Sequence, residues 1–195
     1  RLGGHARELA RLWRSHQKRL LRKAGEAESL RDYWHITGKA LDSALAELGI
    51  KDAPLRARLM QLALNMEAFP DARAAMEGIR NLGLKVAVFS NATLTMLISA
   101  LKHTTLDRLS DSVVPADESA SKPTDAAYKF LSDKLKIDPA RVLYVSADPQ
   151  DAEGAARAGF KSVWLRRDTT ANVAPKAVVT TVASLDELCP LISRG

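Results

Sequence analysis

Three short stretches carry side chains able to do chemistry: Ser90-Asn91, Lys122, and Ser146 with Asp148 and Asp151. Together they supply a hydroxyl and an amide, an ammonium, and two carboxylates. Converging, they would form a pocket for an anion, with carboxylates placed to act on water. Each stretch also has a plainer reading. Ser-Asn is ordinary turn chemistry, a lysine before proline can be a solvated loop residue, and Asp148 and Asp151 can be helix caps.

What sets the third stretch apart is its frame. Val142-Leu-Tyr-Val145 is an apolar run with the composition of a buried parallel strand, and it stops at Ser146. Ala152, Ala155, Ala156 and Ala158 then recur at helical spacing, and Gly159 closes the segment as a helix C-cap. Ser162-Val-Trp-Leu165 completes a β-loop-α-β unit. In open α/β sheets the ligand crevice lies at the carboxyl ends of the strands, where the Asp148 loop falls.

The rest of the chain supplies the elements that must position these loops. Residues 5–24 predict a helix with Leu9, Leu12, Trp13, His16 and Leu20 on one face. Most of its charges read as a solvated face, Arg14 being set apart by its place beside Trp13 at the margin of the stripe. Further helices are expected over 28–48, including Tyr33, and over 53–66. With no strand signal before residue 80, residues 1–66 form an expected helical module and 67–195 an expected α/β core. In that core the expected order is helix 71–82, strand 84–89, helix 94–103, strand 112–114, helix 124–136, the central unit, strand 177–180 and helix 184–193. Strands alternating with helices at this rhythm argue for a parallel, doubly wound, Rossmann-like sheet.

Composition narrows the partners. The 195 residues carry a net charge of +6, which suits a small or polymeric anion. Aromatics make up only 5% and do not interleave with the basic residues, so a nucleic-acid platform is not expected. The single Cys189 excludes an internal disulfide and suits a reducing, cytoplasmic setting. No apolar run approaches the roughly 18 residues of a membrane span. Nucleotide-binding glycine loops, H-E-x-x-H spacing and a G-x-S-x-G elbow are all absent from the sequence.

Phe89-Ser-Asn91, Ser121-Lys-Pro-Thr-Asp-Ala-Ala-Tyr128 and Tyr144-Val-Ser-Ala-Asp-Pro-Gln-Asp151, with Ala158-Gly-Phe160, resemble the haloacid dehalogenase superfamily. More narrowly they resemble its type II (S)-2-haloacid dehalogenases. Leu12-Trp-Arg14 is similar to the arginine-bearing helix of that family's cap. The resemblance implies roles. Ser90 and Asn91 would hold the substrate carboxylate or cradle the halide, and Arg14 would reach the leaving halide. Lys122 would neutralise charge at the nucleophile, with Tyr128 nearby. Ser146, Asp148 and Asp151 would orient that lysine and the hydrolytic water, and Tyr33 would line the apolar part of the pocket.

Two departures qualify the likeness. The family's nucleophile is an Asp in a D-x-x-G-T motif on a strand ahead of the cap, and residues 1–195 hold no such motif. The family also commonly has Asn at the place of Asp148 and an aromatic residue at that of Gln150. The absent strand belongs between those ending at Ser90 and Ser146, so these two are expected not to pair directly.

The resemblance therefore implies hydrolytic dehalogenation of short (S)-2-haloalkanoic acids to (R)-2-hydroxy acids, without a cofactor, through an aspartyl ester formed outside the sequence given. Its alternatives are a magnesium-dependent phosphatase of the same superfamily and a non-catalytic relative. The expected partner is a small anionic substrate, with neither nucleic acid nor membrane, and a homodimer stays open.

Overall fold

The computed structural model describes residues 3–23, 33–116, 121–167, 177 and 180–193. The first turn of the helix expected from residue 28, and Val178 and Val179 of the last expected strand, lie outside them.

Helix α1 (Ala6–Lys23) packs on α2 (Tyr33–Glu47). The apolar stripe explains the contact: Leu9 and Leu12 are buried with Leu41, Ala44 and Leu45 of α2 and Met60 of α3 (Ala53–Leu64). Burying each leucine contributes about 1.5–3 kcal/mol. Polar groups at the margin add direction. Trp13 Nε1 donates to the Thr37 carbonyl at 2.9 Å, Gln17 Nε2 to Thr37 Oγ1 at 2.7 Å, and His16 pairs with Glu47 at 2.9 Å. Helix α3 begins where Asp52 accepts from the Leu55 N–H, with Pro54 in its first turn.

The period then changes. Helix α4 (Ala72–Asn81) leads to β1 (Ala87–Ser90), α5 (Leu94–His103) and β2 (Ser112–Pro115). Helix α6 (Asp125–Leu135), β3 (Leu143–Ser146), α7 (Pro149–Arg157) and β4 (Lys161–Leu165) follow. Strand β5 (Thr180–Val182) and a short α8 (Leu188–Ile192) close the order. Every strand pair among the described residues is parallel. Strands β1 and β2 form one sheet, and β3, β4 and β5 another in that order. Strands β1 and β3 are not hydrogen-bonded to each other, as the sequence leads one to expect.

Several boundaries differ from the sequence reading, three of them for reasons visible in the packing. The ladder of β1 starts at Ala87, because the Val86 N–H is taken by the Asp111 carboxylate at 2.8 Å. Strand β5 covers Thr180–Val182, past the expected end at Thr180, where Val182 is buried against Val163, Leu165 and Leu188. The expected terminal helix is a 3₁₀ turn, Leu185–Glu187, with a Ser184/Glu187 capping box, before α8. Pro190 has no N–H to offer the carbonyl four residues back, which breaks an α-helical start there.

The core between the sheet and α6–α7 is aromatic. Tyr128 of α6 meets Tyr144 of β3 edge-on, with centroids 5.7 Å apart and planes at 82°. Gly154 lets α7 lie against that tyrosine, since a Cβ there would stand 2.7 Å from Tyr128 Cε2 and Oη. Ser90 and Ser146 therefore end two separate parallel strands on the same side, with the Lys122 loop leading into α6.

Candidate active site

The strand ends open into a cleft of about 590 Å³. Its floor comprises Ser90, Asn91, Lys122, Ser146, Asp148 and Asp151, and Arg14, Gln17, Lys18, Leu21 and Tyr33 face them from α1 and α2. The three chemical stretches of the sequence thus converge, and Arg14 and Tyr33 line the same space.

At the centre lies Asp151, 7% exposed. Its Oδ2 accepts from Lys122 Nζ at 2.9 Å and Ser146 Oγ at 2.7 Å. Its Oδ1 accepts from Tyr128 Oη at 2.7 Å and Tyr144 Oη at 2.9 Å. A carboxylate offers about four lone-pair directions, so these donors saturate it. Burial, followed by the adjacent Asp151 charge, raises the pKa of both tyrosines far above the ordinary value. Both therefore remain neutral donors.

Lys122 Nζ donates to Asp151, to Tyr144 Oη at 3.0 Å and to the Phe89 carbonyl at 3.2 Å, which occupies all three of its N–H bonds. It is a charge fixed in place. Asn91 fixes the loop itself: its amide donates to the Lys122 carbonyl at 3.0 Å, and its oxygen accepts the Lys122 N–H at 2.8 Å. Asn91 lines the cleft, yet both ends of its amide serve this loop. Ser90 Oγ accepts from the Ala92 N–H at 3.1 Å, leaving its proton for a ligand.

Asp148 is placed differently from the other acid. Its Oδ1 caps α7 by accepting from the Gln150 N–H at 3.0 Å, and its Oδ2 accepts from Lys18 Nζ at 2.6 Å. The capping reading of this residue holds, and its second oxygen contacts Lys18 of α1 and not Lys122. Burial opposes its ionisation; the Lys18 ammonium and the Gln150 and Asp151 N–H groups outweigh that, so its pKa lies below the ordinary value. Burial raises the pKa of Tyr33. Arg14 is exposed and has no hydrogen-bonded partner among the described residues, which leaves its guanidinium available to an anion.

Sequence reasoning missed Tyr144 and Lys18. The first sits inside an apolar strand run, and the second within a basic helix where most charges read as solvated. The i, i+3, i+4, i+7 spacing of Arg14, Gln17, Lys18 and Leu21 was the available signal, since it puts all four on one face.

The arrangement is an anion-accepting cleft with a buried, clamped lysine. Comparison with known proteins agrees. Residues 5–159 match the family model described as haloacid dehalogenase-like hydrolase. The (S)-2-haloacid dehalogenase 4A of Burkholderia cepacia is 34% identical over 197 residues, spanning 100% of this chain and 85% of that protein. A crystal structure of a dehalogenase with an intermediate complex superposes with a TM-score of 0.89 at 34% identity, covering 97% of this chain and 85% of that one. An L-2-haloacid dehalogenase structure gives 0.85 at 27% identity, covering 98% and 87%. With a family match across most of its length and a relative of this identity, the chain belongs to the haloacid dehalogenase-like hydrolases.

Proposed function

We propose that the protein hydrolyses short (S)-2-haloalkanoic acids to (R)-2-hydroxy acids, consuming water and releasing halide and a proton. The observation that carries this reading is the buried Lys122–Asp151 pair facing Ser90 and Arg14, the latter unpaired among the described residues, across one cleft. Support also comes from relatives named (S)-2-haloacid dehalogenase.

In this proposal a carboxylate nucleophile, expected on a strand ahead of residue 1, displaces the halide to form an ester that water then opens. Lys122, held by Asp151, Tyr144 and the Phe89 carbonyl, supplies a positive charge that keeps such a carboxylate ionised, the form that attacks carbon. Arg14 draws the departing halide, while Ser90 with the Asn91 loop receives the substrate carboxylate. Tyr33 and Leu21 line the side facing the alkyl group. Residues 1–66 act as a cap over a core of 67–195. The lone Cys189 suits a cytoplasmic enzyme, and no helix among the described residues is long and apolar enough to cross a membrane. Exposed Leu62, Leu94 and Ile98 on α3 and α5 suit a homodimer.

The second reading, a magnesium-dependent phosphatase, has less support. Both cleft carboxylates already face lysine ammonium groups, at 2.6 and 2.9 Å, where a hard cation would need their oxygens. The residues as placed do not fit that ion, and the proposed reaction uses no cofactor.

The test is chloride release from (S)-2-chloropropionate by the full-length protein, with and without EDTA, beside phosphate release from small phosphomonoesters. Chloride release that withstands EDTA is expected, as is its loss in Lys122→Ala. Magnesium-dependent phosphate release without chloride release would overturn the proposal.

A further inference from the structure

Helix α1 presents two faces. Leu9, Leu12 and His16 are buried toward α2, and Trp13 and Gln17 hydrogen-bond to Thr37 there. Arg14, Gln17, Lys18 and Leu21 line the cleft. Helices α1 and α2 are thus fastened to each other along their length. The Lys18–Asp148 bond at 2.6 Å runs from α1 to the loop that opens α7. It joins residues 130 positions apart in the chain. Lys18 lies one helical turn after Arg14, on the same face.

We propose that the Lys18–Asp148 ion pair is a positioning device: it seats α1 on the β3–α7 loop and thereby holds Arg14 over Ser90 and Lys122. The inference rests on the dehalogenase reading for its consequence in turnover, and on the bond geometry for its structural half. Asp148 is suited to the task because Oδ1 is spent on capping α7, which aims Oδ2 outward at the helix. The side chains are 48% and 34% exposed, so the pair sits at the rim, where a bond can part and re-form as ligand enters.

The kinetic signature follows from population shift. If substrate completes the closed arrangement, loosening the tether lowers the closed fraction of free enzyme, and apparent affinity falls by that fraction. An exposed pair contributes up to about 1 kcal/mol, which corresponds to about fivefold. Lys18→Met should raise KM for 2-chloropropionate about fivefold with kcat within twofold, and Asp148→Asn, which keeps a capping side chain, should raise KM by the same factor. The double variant should match either single one, since both remove the same interaction.

A second measurement does not depend on turnover. Spin labels at Arg11→Cys and Lys129→Cys, in a Cys189→Ser background, report the distance between α1 and α6. The distribution should broaden in Asp148→Asn and in Lys18→Met. A hundredfold loss of kcat at unchanged KM in Asp148→Asn would overturn the proposal by making Asp148 a reacting acid or base. Unchanged KM with an unchanged distribution would overturn it by making the pair idle. Broadening in a protein that releases no chloride would uphold the tether and defeat the dehalogenase reading.

Discussion

Replacing Gly154 by alanine tests how tightly the buried acid is packed. In an unhindered helix this change stabilises, by up to about 1 kcal/mol. Here the new Cβ would stand 2.7 Å from Tyr128 Cε2 and Oη, against ordinary contact beginning at 3.4 Å, so the ring or α7 must move by more than half an ångström. Overpacking of this kind costs about 1–3 kcal/mol. The expected balance is a loss of about 1 kcal/mol, a fall in Tm of about 2–4 °C. The larger effect should be on activity. Tyr128 Oη is 2.7 Å from Asp151 Oδ1, and a shift of that size takes the pair beyond hydrogen-bond range. A hydrogen bond to a charged group contributes about 1.5–3 kcal/mol, so kcat should drop at least about tenfold. Gly78→Ala is the control, because its Cβ would meet Cys189 Sγ at 2.8 Å, well away from the cleft. It should lose stability and keep kcat. Thermal unfolding and steady-state chloride release of both variants decide the matter. Gly154→Ala with wild-type Tm and kcat, or an equal loss of kcat in Gly78→Ala, would refute the reasoning.

Tyr144→Phe should lower kcat about threefold to tenfold while leaving the fold intact, because Lys122 and Asp151 each lose one of several partners; chloride release against chemical denaturation separates the two effects. Asp71 accepts from Arg167 at 2.8 Å and from the Leu185 N–H at 2.9 Å, and these bonds hold its carboxyl well below the ordinary value of 3.8. Its folded pKa being the lower one, its contribution is full above about pH 4 and is lost as pH falls toward the folded value. Asp71→Asn should therefore cost about 1.5–3 kcal/mol at neutral pH and flatten the acid limb of the stability profile measured by denaturant titration.

The floor of the cleft was legible in the sequence because its groups follow directly from chain geometry. Ser90, Ser146 and Asp148 end strands or open a helix, and any parallel sheet delivers such positions to one side. Lys122 was legible through its loop and the family likeness. The hydroxyl of Tyr144 was not: in a strand read as buried, an aromatic residue counts as packing, and only the neighbouring Asp151 and Lys122 give its oxygen a task. Lys18 was lost for the opposite reason, since nothing local distinguishes a lysine in water from one against a carboxylate 130 positions away. Strand β5 runs on past the expected end at Thr180, through Thr181, because burial of Val182 beside Leu165 favours the further pairing.

The placement of Lys122 has an engineering consequence. Its ammonium touches the Phe89 carbonyl of one sheet and, through Tyr144 and Asp151, the other, while no ladder joins β1 to β3. The residue is at once a crosspiece between two half-frames and the charge in the cleft. Selection for a new substrate therefore has little freedom at this position, where any change is felt by architecture and chemistry together. The adaptable side of the cleft is the facing wall of Gln17, Leu21 and Tyr33, carried by helices that own a separate apolar cluster. A directed library should diversify that wall and leave the crosspiece untouched.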